Sequence, residues 1–200
     1  MIDLQEVVNH ILAEALNLQL AVHDDWDTQM LEALGNQDQD IEARLETAVR
    51  WLRHYGVLMG LNNELGNQIA TAVINYADQR ADEFMPANLQ EIINGFEVLH
   101  ENFRQILPRA FTSLTSKALW CCYPTIVPLY DSYAERALSV ISRLAQIEPI
   151  HNDTVYGRFA SVWMQMYNMV EIPDDHLNGY PYKVRIFDKI LWILGQKRFR

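Results

Sequence analysis

Residues 132–146 read Ser132-Tyr133-Ala134-Glu135-Arg136-Ala137-Leu138-Ser139-Val140-Ile141-Ser142-Arg143-Leu144-Ala145-Gln146. Ala134, Ala137, Leu138, Ile141 and Leu144 recur at three- and four-residue steps, the spacing that lines one face of an α-helix. Ser132 and Glu135 stand three apart, as in a capping box, where hydroxyl and carboxylate each satisfy a free amide. The stretch is expected to be an amphipathic helix with those five apolar residues inward. Nothing in it alternates with the two-residue period of a strand.

The same period runs outward on both sides. Leu4, Val7, Val8, Ile11, Leu12 and Ala15 predict a helix over about 3–22. His23-Asp24-Asp25 reads as a break, and Trp26 to Leu34 as a short helix ended by Gly35-Asn36. A third helix is expected over about 38–55 with Ile41, Leu45, Val49 and Leu52 inward, and a fourth over 61–84 with Leu65, Ile69, Val73 and Tyr76 on one side. Asn88-Leu89-Gln90-Glu91 is another capping box, opening a helix that runs through Phe96 and Phe103 towards Pro108. A short helix over about 113–122 follows. Past residue 146, Asp153 or Thr154 caps a helix reaching about Val170, residues 173–181 form the longest loop, and the last helix, about 183–197, turns Phe187, Ile190, Leu191 and Leu194 inward. The expected fold is all-α, one globular domain of about seven to nine helices spanning residues 1–200.

Composition agrees with a folded chain. Half of the 200 residues are hydrophobic and a tenth aromatic, which excludes the disorder signature of low hydrophobicity with high charge. No apolar run reaches the length that spans a bilayer, so no membrane partner is expected, and the acidic start Asp3-Leu4-Gln5-Glu6 does not read as a secretory signal. The expected compartment is the cytoplasm. Cys121 and Cys122 are adjacent, and neighbours do not readily meet disulfide geometry or supply a zinc site, so both read as small buried residues. The six His residues lie at 10, 23, 54, 100, 151 and 176 with no i, i+4 pair. A His-ligated metal would require tertiary convergence, and no metal or other cofactor is expected. Neither a phosphate-binding glycine loop nor a GxSxG or HExxH motif occurs. Asp24-Asp25 and Asp174-Asp175 read as surface or capping pairs. The Met164, Met166 and Met169 run, with Tyr156, Trp163 and Tyr167, reads as core filling.

The net charge of −10 is unevenly spread. Residues 1–100 hold 17 Asp or Glu against four Arg, while residues 101–200 hold 12 Lys or Arg against nine acids. An acidic half attracts a basic protein partner and repels phosphate. The second half, with six cations in its last 18 residues, offers at most weak, salt-sensitive nucleic-acid contacts.

The chemistry-bearing stretch is Ser116-Lys117-Ala118-Leu119-Trp120, then Tyr123-Pro124-Thr125-Ile126, then Pro128-Leu129-Tyr130-Asp131-Ser132 and Arg136. Two prolines hold the chain extended, because the residue before each is pushed out of the helical region. Asp131 then stands at a helix entry, beside free amides and the positive end of the dipole, either as a cap or as a positioned carboxylate. In the last helix, Arg185 and Asp188 lie at i, i+3 and are expected to pair on one face. A buried polar network that also takes in Asp131 or Lys117 is the other possibility.

This stretch resembles the segment of helix-hairpin-helix DNA glycosylases that runs from the hairpin lysine into P-x-V-D-[ST]-x-V-x-R. The resemblance implies Asp131 as catalytic carboxylate, Lys117 as the amine that forms a Schiff base with the sugar, and Arg136 as a phosphate-facing or structural residue. Phe111-Thr112-Ser113-Leu114-Thr115-Ser116-Lys117 carries no glycine where the family's hairpin has L-P-G-[VI]-G. Across the last 100 residues the chain also resembles a set of small bacterial helical proteins with the pattern S-K-x-L, P-x-Y-D-S and R-x-x-D-x-x-L-W. Here that pattern falls on Tyr130, Asp131, Arg185, Asp188, Leu191 and Trp192, with Gly195 closing it. Two functions are therefore expected alternatives. One is a protein of glycosylase-like ancestry that acts on or senses nucleic acid, in repair or phage defence. The other is a non-enzymatic acidic module (an inhibitor, immunity protein or complex subunit) that binds another protein.

Overall fold

The computed structural model describes residues 3–80, 85–107, 111–151 and 153–196. Among them are nine α-helices, one 3-10 turn and no strand, so the all-α expectation holds. No helix among the described residues is long and apolar enough to cross a membrane. The contacts group the chain into two units: residues 1–22 with 124–200, and residues 23–123.

The first unit is built on α1 (Leu4–Val22), α7 (Ser132–Ala145), α8 (Val155–Tyr167) and α9 (Lys183–Gln196). α9 packs against both α1 and α7, and α7 also packs against α8. The expected single inward face of α9 is too narrow. Every residue from Val184 to Leu191 is buried, including Arg185, Asp188 and Lys189, whereas Leu194 is half-exposed. A helix enclosed on most sides must place its charged residues in the interior, and three- and four-residue spacing cannot reveal that. Trp163 of α8 meets Phe187 of α9 edge to face at 5.0 Å. Gln19, buried on α1, donates to the Tyr180 hydroxyl at 3.0 Å, and the Gln5 carboxamide pairs with both the N–H and the C=O of Glu171. Leu191 is 1 % exposed, so Leu191→Ala should cost about 2–5 kcal/mol, read as a lower urea midpoint.

The second unit comprises α2 (Asp24–Gly35), α3 (Ile41–His54), α4 (Asn63–Gln79), α5 (Leu89–Ile106) and α6 (Thr112–Cys122). Asp24 and Asp25 do not break the chain. They form the first turn of α2, where carboxylates suit the dipole. The inward face of α3 is rotated from the expected one: Arg44, Ala48, Trp51 and Leu52 are buried, Leu45 and Val49 are only half-buried, and Ile41 lies exposed. Buried polar bonds hold that rotation. Arg44 donates to the Ala33 carbonyl at 2.7 Å and to both carboxylate oxygens of Asp78, and Trp51 Nε1 and the Tyr55 hydroxyl both donate to Asp27. A guanidinium held by three hydrogen bonds outweighs the burial of one isoleucine.

The caps follow the sequence in most places. Asp40, Asn62, Asn88 and Thr154 each accept from a backbone amide three residues on. The Ser132–Glu135 capping box does not form: Asp131 is the cap of α7, and Glu135 turns to Tyr130 instead. Leu144, expected inward, is 55 % exposed because it falls in the last turn of α7. The 173–181 loop holds a 3-10 turn at Asp174–Leu177, and Met169 is exposed past the end of α8 rather than filling the core. Residues 81–84 of the expected fourth helix and Pro108 lie outside the described residues, as do Lys197, Arg198 and Arg200 of the basic tail.

Neither Cys121, which is buried, nor Cys122, which is half-buried, is in a disulfide. Burial pushes Cys122 from the ordinary 9.0 up to about 12. A raised thiol value means that the folded chain holds its proton more tightly than the unfolded one. The resulting stability is present below about pH 9 and is lost as pH rises towards 12. At pH 8, alkylation of Cys122 should therefore be much slower in folded than in urea-unfolded protein, which mass spectrometry would read directly.

Candidate functional site

In the first unit, Val127, Pro128 and Leu129 are buried, and the Tyr156 hydroxyl pins the segment by donating to the Pro128 carbonyl at 3.0 Å. The segment delivers Asp131 to the start of α7, where its Oδ1 accepts from the Tyr133 amide at 2.8 Å. The carboxylate stands at a helix entry as expected, but the two prolines do not hold the whole stretch extended. Pro124, Thr125 and Ile126 form a turn, and the residues that follow, 127–130, are neither turn nor helix. Tyr130 packs edge to face on Phe159 and donates its hydroxyl to Glu135 Oε2 at 2.6 Å. Burial, and then the Glu135 carboxylate, push the Tyr130 phenol well above its ordinary value, so the hydroxyl stays a donor.

Beside this corner, α7, residues 147–149 and the start of α8 enclose a groove of about 370 Å³. Leu138, Phe159 and Val162 form its buried floor, and Glu135, Arg143 and Arg158 are among its polar lining residues. Arg143 is steered by its own helix, its Nε donating to the Ser139 carbonyl at 2.8 Å. Arg158 bears on the Tyr130 phenol, lowering its value against the stronger opposing effects. Reading the sequence missed Glu135, Arg143 and Arg158 as site residues. In sequence Glu135 reads as the carboxylate of a capping box, and nothing in linear order marks 143 and 158 as neighbours of one groove.

The other expected site residues are distributed as follows. Lys117 belongs to α6 in the 23–123 unit, buried, with Nζ donating to Ser113 Oγ at 2.6 Å. Asp131, Tyr130, Arg136, Arg185, Asp188 and Trp192 all belong to the other unit. Arg136 is exposed, donates to the Gly195 carbonyl at 3.3 Å and lies over the Tyr133 ring. Arg185 and Asp188 pair as expected at i, i+3, with Nη1 to Oδ2 at 2.7 Å and both side chains inside the protein. Trp192 meets Tyr133 edge to face and lies under the Lys189 ammonium. Asp174 and Asp175 are exposed.

Two histidines do converge. His23 Nδ1 and His54 Nε2 stand 2.9 Å apart, with His23 stacked on Tyr55 and His54 on Trp26. Among the described residues no group of three or more His, Cys, Asp or Glu is placed to hold a metal ion.

The sequence and its geometry define an all-α chain with a capped carboxylate corner and an amphipathic groove. Comparison with protein-family models, with curated proteins and with solved structures returned no match.

Substitution separates the roles of Asp131. As a cap, Asp131→Asn should be almost neutral and Asp131→Ala should cost about 1 kcal/mol, because Asn accepts an amide about as well as Asp. Paired melts of the two variants give that comparison. A loss of more than about 2 kcal/mol in the Asn variant would mean that the charge itself holds the corner together.

Proposed function

We propose that this chain is a non-enzymatic binding module that takes a basic protein partner on the carboxylate-rich surface of residues 24–46. One observation carries the reading. That segment holds eight carboxylates and a single cation, Arg44, which is buried and committed to Asp78. Asp25, Glu32, Asp38, Asp40, Glu42 and Glu46 are all exposed. Their crowding is felt locally: burial raises the Asp24 carboxyl, and its neighbours Asp25 and Asp27 raise it further. The 23–123 unit as a whole carries 15 acids against seven cations. Arg50 lies 3.9 Å from Glu46 at one edge, but the surface is predominantly negative, which speeds encounter with an oppositely charged partner and disfavours phosphate backbones. Two adjacent cysteines outside any disulfide suit the cytoplasm as its compartment.

The test is calorimetric titration of the full chain with a Lys/Arg-rich helical peptide at low and physiological salt. Binding should weaken with salt and with the combined Glu32→Gln, Asp38→Asn, Glu46→Gln variant. Salt-independent binding, or the same affinity in the variant, would exclude this surface.

A second reading, action on nucleic acid with glycosylase-like ancestry, draws support from Asp131 standing at a helix N-terminus behind the buried segment Val127, Pro128 and Leu129. Under that reading Asp131→Asn keeps the fold and abolishes base release from a damaged oligonucleotide, since the amide carries no charge. No base release by the unaltered chain, across a panel of damaged oligonucleotides, would remove it. Lys117 weighs against an amine nucleophile, because it is buried and hydrogen-bonded to Ser113.

A further inference from the structure

We infer that the groove between α7 and α8 is a binding site for a small carboxylate with an apolar body, such as an aryl-alkanoic acid. The groove lies wholly within the unit formed by residues 1–22 and 124–200, so the inference is independent of the acidic surface proposed above. Its volume of about 370 Å³ falls in the range of small-molecule pockets, about 300–1,000 Å³. The buried floor of Leu138, Phe159 and Val162 receives an apolar body, and Phe159 supplies an aromatic surface for it.

The arginines of the lining suit an anion. Four charged residues line the groove: Glu135, Glu148, Arg143 and Arg158. The Glu135 carboxylate already accepts the Tyr130 hydroxyl at 2.6 Å. Neither Arg143 nor Arg158 forms an ion pair among the described residues, and the Arg158 side chain makes no hydrogen bond there either. The hydrogen bond leaves the Glu135 charge in place, so the lining is balanced at two guanidiniums and two carboxylates, and the preference for an anion rests on the guanidiniums being held in no ion pair. A guanidinium is weakly hydrated and carries a planar fork of donors matched to a carboxylate, so an anion edged by an apolar group fits better than a cation. The ligand's apolar part on the floor and its carboxylate at the arginines use both halves of the lining.

The experiment titrates the full chain with 4-phenylbutyrate by calorimetry and by NMR shift perturbation, with 4-phenylbutan-1-ol as the neutral counterpart. The expected result is saturable binding of the acid with shifts on α7 and α8. The alcohol should bind about tenfold more weakly, and Arg143→Gln and Arg158→Gln should each weaken the acid by about tenfold, the scale of one charge-assisted hydrogen bond. Both arginines are exposed, and matching thermal melts of the variants would establish that the fold is intact. Raising the salt should weaken the acid and leave the alcohol unchanged. The inference is overturned by no saturable binding of the acid at millimolar concentration, by equal binding of acid and alcohol, or by affinities that both arginine variants leave unaltered.

Discussion

Replacing Gly195 by alanine should destabilise the protein by about 3 kcal/mol or more, the larger end of what overpacking does. A Cβ at residue 195 would overlap the Tyr133 carbonyl oxygen and stand 2.5 Å from its carbon and 2.9 Å from its Cα. The obstacle is backbone, not the end of a flexible side chain. Tyr133 lies in the first turn of α7, tied by its own amide to Asp131, so it cannot yield without shifting the helix. The bare α-carbon is what lets α9 approach α7 there, and Arg136 adds a hydrogen bond to the Gly195 carbonyl across the same contact. For a chain of this size the loss corresponds to a melting midpoint lower by about 6–12 °C. Gly35→Ala is the control. Nothing lies within 4 Å of its would-be Cβ and its backbone is helical, so alanine there should be neutral or stabilise by up to about 1 kcal/mol.

Truncating Asp188 to alanine should cost about 3–5 kcal/mol, because it leaves the Arg185 guanidinium buried without its carboxylate. Arg185 is 2 % exposed and stays charged at any accessible pH, so it cannot relieve the loss by releasing a proton. Asp188→Asn keeps an acceptor and should fall between the native and alanine chains. The double variant Arg185→Leu, Asp188→Leu should recover most of the loss, since removing both charges also removes the cost of burying them. Urea unfolding of the four chains forms the comparison. A small loss in Asp188→Ala would mean that solvent or another group reaches Arg185. Failure of the double variant to recover would mean that the pair serves packing as well as charge.

The legible part of this chain is its one-dimensional periodicity. Three- and four-residue spacing placed α1, α4, α5, α7 and α9 close to where they stand, and Asn88 and Thr154 marked helix starts. The Arg185–Asp188 pair was also legible, because i, i+3 neighbours on a helix meet wherever that helix is placed. Asp131 was readable as a residue at a helix entry for the same local reason. The face of α3 was not, since Arg44 is drawn inward by Asp78, 34 residues away, and by the Ala33 carbonyl. Nor was the capping of α7, where Glu135 had two local partners and took Tyr130.

The groove lay furthest from the sequence. Arg143 and Arg158 come together only because α8 packs against α7, and neither helix announces that packing in its own pattern. Sequence by itself determined which segments are helical, where most of them begin and that Arg185 pairs with Asp188 within one helix. Each of those rests on backbone hydrogen bonds and side chains within a few residues. Tertiary structure alone decided which side of α3 faces inward, that α9 is enclosed around three charges, and that Gly195 must lack a side chain. Those outcomes depend on groups distant in the chain, whose meeting is set by packing the helices together.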